Sequence, residues 1–120
     1  MAFLGKLEGF ILPEHDLYFL EIGCFDPFLV EQTLSKEPAV YVFIRNTQVL
    51  KPAEVIYVGE TGDLSTRFNS HHKMPCIEEH KATHLGLIRS EAMEDKSVRK
   101  VIEDDLIERH EPRCNDPRNS

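Results

Sequence analysis

No stretch of the chain approaches the ~18 apolar residues that a membrane span needs; the longest clean run is Ala39 to Ile44. The first residues, Met1 to Glu8, lack a basic start followed by an unbroken apolar stretch, so no secretory signal is expected. Cysteine is scarce. Cys24, Cys76 and Cys114 are far apart and contain no Cys-x-x-Cys pair, which fits a reducing compartment and a cytosolic or nucleoid-associated protein. Internal repeats and low-complexity tracts are also missing. So is an excess of basic residues: 14 Lys and Arg stand against 21 Asp and Glu, a formal net charge of −7. A protein that grips duplex nucleic acid unaided is usually basic, so composition speaks against such a role.

What is present suffices for one folded domain. The 120 residues are 41% hydrophobic and 29% charged, and a chain of this size hides roughly two thirds of its unfolded surface, enough for a single core. The acid excess is concentrated at the front, where residues 1–37 hold Lys6 and Lys36 against seven acids, while residues 38–116 hold 11 bases and 14 acids.

Local patterning gives an order of elements. Leu17 to Ile22 alternates loosely and suits a short strand. Asp26-Pro27 suits a helix start, with Phe28, Leu29, Gln32 and Thr33 in its turns, ended by Glu37-Pro38. Val40 to Ile44 and Val55 to Val58 are β-branched and aromatic, and about ten residues join them, which predicts an antiparallel hairpin. Thr61 is the expected N-cap of a helix carrying Asp63 in its first turn, then Leu64, Arg67, Phe68 and His71. Residues 76–82 add a turn or two, and His84 to Arg89 is a third strand. A last helix begins within Glu91–Ser97 and ends near His110, with Val98, Val101, Ile102 and Leu106 as its apolar stripe and Pro112 as its stop. An irregular N-terminus followed by β-β-α-β-α is an α+β fold with helices flanking a small three-stranded antiparallel sheet.

Chemistry-bearing residues fall at informative places in that order. Ala39-Val40-Tyr41 lies on one strand and Tyr57-Val58-Gly59 on the next. Arg67 and His71 are one turn apart on the first helix, Glu103 opens a Glu-x-x-Leu-Ile stretch on the last, and Pro112-x-x-Asn115 closes the segment. These residue types suit phosphodiester hydrolysis, which needs a nucleophilic water, stabilisation of charge added at phosphorus, and help for the leaving alkoxide. One carboxylate, Glu103, suffices for a Mg²⁺ that retains several waters. Arg67 can pair bidentately with non-bridging oxygens. Tyr41, Tyr57 or His71 can position or deprotonate the water; a tyrosine base, ordinarily at ~10, needs a nearby cation, and histidine needs less help.

The ordered set AVY…YVG…R…H…ExxLI…PxxN resembles the GIY-YIG nuclease family over residues 38–116. The resemblance implies a three-stranded antiparallel sheet flanked by helices and hydrolysis of DNA phosphodiesters with one divalent metal, Mg²⁺ or Mn²⁺. It implies catalytic roles for Tyr41, Tyr57, Arg67, His71 and Glu103, metal binding by Glu103, and substrate contact at Gly59 and Asn115. It divides the chain into an acidic extension, 1–37, packed on or beside the domain, the domain itself, 38–116, and a tail, 117–120. The sequence departs from the family twice: Ala39 stands where the first glycine would be, and Glu60 follows Tyr-Val-Gly where several members carry lysine or a small polar residue. A carboxylate there repels phosphate unless it points away or shares the metal.

Blander roles stand beside these. The tyrosines suit a strand core, Arg67 a solvated helix face, and Asn115 the bracing of a loop by side-chain hydrogen bonds. A second cluster, His72-x₃-Cys76-x₃-His80-x₃-His84 with His110-x₃-Cys114, has spacing that zinc ligands use. Three functions therefore compete: a metal-dependent endonuclease, a weak or inactive module of the same fold binding a protein or nucleic acid, and a zinc-bound adaptor. Residues 1–37 are acidic and too short for a helix-turn-helix, so DNA specificity is expected to be low or supplied by a protein partner or oligomerisation.

Overall fold

The β-branched and aromatic runs of the sequence build the centre of a sheet. In the computed structural model, which describes residues 3–6, 18–21, 36–45, 54–67 and 72–116, the strands are β1 (Phe3–Lys6), β2 (Tyr18–Glu21), β3 (Ala39–Arg45), β4 (Glu54–Thr61) and β5 (His84–Ile88). The helices are α1 (Leu64–Arg67), α2 (Met74–Glu79) and α3 (Lys96–His110), with 3₁₀ turns at Glu91–Glu94 and Arg113–Asn115. β3 pairs antiparallel with both β4 and β5, the three-stranded sheet expected from the sequence. The N-terminal segment does more than lie alongside: β2 pairs antiparallel with β5 and β1 with β2, giving a five-stranded sheet in the order β1-β2-β5-β3-β4. The helix expected from Asp26 lies outside the described residues.

β3 is buried from Ala39 to Ile44 because both of its faces are covered. Successive side chains point to opposite faces of a strand. Ala39, Tyr41 and Phe43 therefore join Leu64 of α1, Cys76 and Ile77 of α2, and Cys114 on one side. Val40, Val42 and Ile44 join Met93 and Leu106 on the other. The β3–β4 register shifts between Phe43 and Ile44: Tyr57 stays opposite Phe43 while Val55 stands opposite Ile44. That irregularity places Ile56 and Tyr57 in the same core cluster as Tyr41.

Two local expectations need correction, the cap at Thr61 and the place of Val101 in the last helix's stripe. Thr61 ends β4 instead of capping α1; the cap is Asp63, whose Oδ1 accepts from the Ser65 N–H at 2.9 Å and from its hydroxyl at 2.6 Å. Two residues closer to the helix, a carboxylate reaches the first-turn donors better than the threonine. The last helix starts at Lys96, capped by Asp95, which accepts from the Ser97 N–H at 2.8 Å. Its apolar stripe omits Val101, which is 68% exposed, and has Arg99, 7% exposed, near its middle. At roughly 100° per residue, Arg99, Ile102, Glu103 and Leu106 share one half of the helix and Val101 falls outside it.

Arg99 is tolerated there because its polar atoms are satisfied. Its Nε donates to Glu60 Oε2 at 2.8 Å and its Nη1 to the Met93 carbonyl at 2.7 Å. The two side chains are 8% and 16% exposed. Breaking such a pair leaves a charge without its partner in a poorly solvated place. Arg99→Met is expected to lower unfolding free energy by about 3 kcal/mol, and Glu60→Gln, which keeps a hydrogen-bond acceptor, by about 1 kcal/mol. Urea midpoints at constant m-value check both numbers.

Candidate active site

Tyr41 and Gly59 stand opposite each other across β3 and β4. The tyrosine ring occupies the space a side chain at 59 would need: an added Cβ would overlap its Cζ and Oη and lie 2.9 Å from Cε1. Gly59 is itself buried and is matched to the ring of Tyr41, which gives it a packing role. Ala39, at the other departure from the motif, pairs with Thr61 and is fully buried.

With its ring so placed, the Tyr41 hydroxyl accepts from Arg67 Nε at 2.9 Å, and the guanidinium carbon stands 5.9 Å from the ring centroid. α1 delivers Arg67 to this spot. Its first turn is anchored by the Leu64 N–H donating to the Glu37 carbonyl at 2.9 Å, and Leu64 is fully buried. The Tyr57 ring lies 6.1 Å from that of Tyr41, and the two phenols and Arg67 act on one another electrostatically. Burial is the largest influence on both phenols and pushes both pKa values up; the positive charge of Arg67 opposes the shift without cancelling it. For Arg67, burial pulls the pKa down, but Tyr41, Tyr57 and Glu60 outweigh it and hold the guanidinium firmly protonated. The cation expected to make a tyrosine base is present, yet desolvation wins, and the phenols are neutral hydrogen-bonding groups.

Glu103 completes the group from α3. Its side chain is 13% exposed, and its charge contributes to the raised pKa of Tyr57. Lys100 Nζ contacts Glu103 Oε1 at 2.5 Å; this bond and charge raise the lysine pKa. Asp104 is exposed and Asp105 pairs with Arg109 at 3.2 Å, so Glu103 is the member of the acidic run turned toward the tyrosines. A single carboxylate beside neutral phenols and one fixed guanidinium is a hard oxygen donor set, which suits Mg²⁺ or Mn²⁺ with most of its water retained.

Asn115 reaches none of these through its own amide. Its Oδ1 accepts from the Val58 N–H at 2.8 Å and its Nδ2 donates to the Val58 carbonyl at 2.9 Å. Among the described residues β4 is the outer strand of the sheet, and the asparagine pairs with its backbone as a further strand would. Asn115 thus braces the strand next to Tyr57, the bracing role its side chain suits. His71 lies outside the described residues. Glu60, whose charge seemed out of place beside a phosphate, is held by Arg99. Sequence reasoning missed Arg99, Lys100 and the pairing of Cys76 with Cys114, which are joined in a disulfide with Cα atoms 5.8 Å apart. Both cysteines pack against the Tyr41 face of the sheet, which brings together residues 38 apart in the chain. This corrects the expectation of unpaired cysteines.

No family model matches the chain, and no curated protein does. Solved structures do. The N-terminal GIY-YIG endonuclease domain of UvrC from Thermotoga maritima, bound to magnesium, aligns with a TM-score of 0.55 at 24% identity, covering 73% of this chain and 93% of that one. A tyrosine-to-phenylalanine mutant of that domain, bound to its catalytic divalent cation, aligns with a TM-score of 0.53 at 26% identity over 70% of this chain and 88% of that one. The chain has a GIY-YIG-like fold.

The raised phenol pKa values have a consequence for stability. A group whose folded pKa lies above its unfolded value contributes fully below the unfolded pKa, here ~10, and loses that contribution as pH rises through the folded value. The wild-type protein is expected to lose stability from about pH 10 upward. Tyr41→Phe should show a shallower alkaline loss, and urea midpoints measured from pH 8 to 12 test the difference.

Proposed function

We propose that the protein is a metal-dependent endonuclease that hydrolyses DNA phosphodiesters, acting in the cytoplasm with sequence specificity low or supplied by a protein partner or by oligomerisation. The observation that carries this is the convergence of Arg67 on Tyr41 and Tyr57 with the half-buried Glu103 close by. The likeness to a cation-bound endonuclease domain supports it. Among the described residues no helix is long and apolar enough to cross a membrane.

In this proposal Arg67 receives a non-bridging phosphate oxygen. Its Nε is already committed to Tyr41 at 2.9 Å, which fixes the plane of the guanidinium fork. Tyr41 is thus a positioning residue. Tyr57, less completely enclosed, orients the attacking water, and His71 is proposed as the proton acceptor four residues past Arg67. Glu103 would hold the divalent cation, giving up its contact with Lys100. When bound, that cation polarises a phosphoryl oxygen and eases ionisation of water. Asn115 keeps β4 in register beneath Tyr57.

The test is cleavage of supercoiled, single-stranded and branched DNA with Mg²⁺ or Mn²⁺. Glu103→Gln should abolish cleavage yet retain DNA binding, because one negative charge leaves a site that receives phosphate. Asp104→Asn should cleave like wild type. Arg67→Ala should lose about 10²–10³ in rate, and Arg67→Lys should recover only part of it. Cleavage by Glu103→Gln at the wild-type rate would remove this residue from metal binding, and absence of cleavage with every metal and substrate would leave the acidic chain as a binding module.

A further inference from the structure

The proposed reaction makes no use of the Cys/His-rich stretch, and the structure draws three of its members together. Cys76 and Cys114 are bonded, and His80 stands near them: the two sulfurs and a ring nitrogen of His80 all lie within 4.8 Å of one another. Among the described residues the group ends there, so the wider cluster with His72, His84 and His110 does not assemble. Cys76 and His80 are neighbours because α2 ends between them, one turn apart, with Pro75 in its first turn. Cys114 comes from the 3₁₀ turn that also carries Asn115. Cys114 is fully buried, Cys76 nearly so, and His80 is half-buried.

A disulfide needs two cysteines and gains nothing from a third convergent donor. Two thiolates and an imidazole are a soft-to-borderline set, unsuited to Mg²⁺ and suited to Zn²⁺. We propose that in its reduced form the chain binds one Zn²⁺ through Cys76, His80 and Cys114, with a water in the fourth position, and that disulfide and zinc are alternative fastenings of the same joint. Tetrahedral ligation sets the donor atoms roughly 3.5–3.8 Å apart. Rotating the cysteine side chains reaches that spacing from Cα atoms 5.8 Å apart, and His80 has about 1 Å to close.

The chemistry balances in two steps. A dithiol reductant gives two electrons and two protons to the disulfide, leaving two cysteine thiols and its own disulfide. Zn²⁺ then displaces both thiol protons and takes the lone pair of neutral His80, with no change in its oxidation state. In a reducing compartment the joint between α2 and the Asn115 turn would thus be held by metal. This site does not depend on the nuclease proposal.

The experiment uses the full chain, freed of metal and reduced with a phosphine under exclusion of air. It is titrated with Zn²⁺ against a chromophoric chelator, and with Co²⁺ to read thiolate-to-cobalt charge-transfer absorption. One equivalent per chain is expected, with the charge-transfer bands present, and none in the oxidised chain. His80→Ala should weaken zinc binding by about 100-fold or more. Cys76→Ser and Cys114→Ser should remove the charge-transfer bands, whereas Glu103→Gln should leave zinc uptake intact. Should the serine variants fail to fold, His80→Ala decides, since its side chain is only half-buried. No uptake by the reduced chain, or uptake that survives His80→Ala and disappears in Glu103→Gln, overturns the proposal.

Discussion

The candidate site depends on one steric fit: the Tyr41 ring lies where any side chain at position 59 would have to be. Because Gly59 yields that space, the ring can cross β4, and its hydroxyl meets the Arg67 guanidinium at 2.9 Å. The arginine is therefore held by a neutral phenol and not by a carboxylate. That distinction matters chemically. A carboxylate partner would consume the charge that a phosphate needs, whereas a phenol fixes the geometry and leaves the charge available. Burial keeps the phenol neutral by raising its pKa, so the enclosure that completes the core also maintains the site's electrostatics.

The support for this fit comes from the edge of the sheet. β4 is a terminal strand, and an unpaired edge is free to slide or to recruit another chain. Asn115 closes the edge at Val58, between Tyr57 and Gly59, with two hydrogen bonds to one residue's backbone. Its own turn is fastened through Cys114 to α2. One chain of contacts thus runs from Cys76 through Cys114 and Asn115 to the strand that presents Tyr57. A loosened joint at the cysteines would be felt first as lost register in β4, with the packing of β3 against β5 less affected.

How much of this the sequence displays depends on the range of the interaction. The three central strands are legible because each is a short β-branched or aromatic run, and their propensity agrees with their burial. The ordered motif implies that Tyr41 and Arg67 belong to one site, but their hydrogen bond is visible only in the fold. Of the two N-terminal strands, Tyr18–Glu21 lies within the loosely alternating stretch Leu17 to Ile22, whereas Phe3–Lys6 is four residues long and weakly patterned. α3 is misread at Val101 because a count of apolar residues treats Arg99 as outward-facing; only the partner 39 residues away, Glu60, makes an inward arginine affordable. The Cys76–Cys114 pairing is equally remote, and no spacing rule ties a helix start to a turn 38 residues on. The bracing role of Asn115 is visible in its hydrogen bonds to Val58, 57 residues away in the chain.

The acidity of the chain, at net charge −7, is less of an obstacle than the total suggests. Phosphate responds to charges within about a Debye length, ~8 Å at physiological ionic strength, more than to the sum over the molecule. Glu60 and Glu103 each have a basic partner: Glu60 is bonded to Arg99 and Glu103 to Lys100. The two pairs differ in kind. Arg99 is 8% exposed and locked to backbone carbonyls as well, so its neutralisation of Glu60 is permanent. Lys100 is 49% exposed and bound only at its tip, so it can swing away into water at little cost and leave Glu103 to a cation. Of Glu60 and Glu103, the fold silences the first and keeps the second exchangeable, which is the division of roles that the proposed one-metal site with a single carboxylate ligand requires.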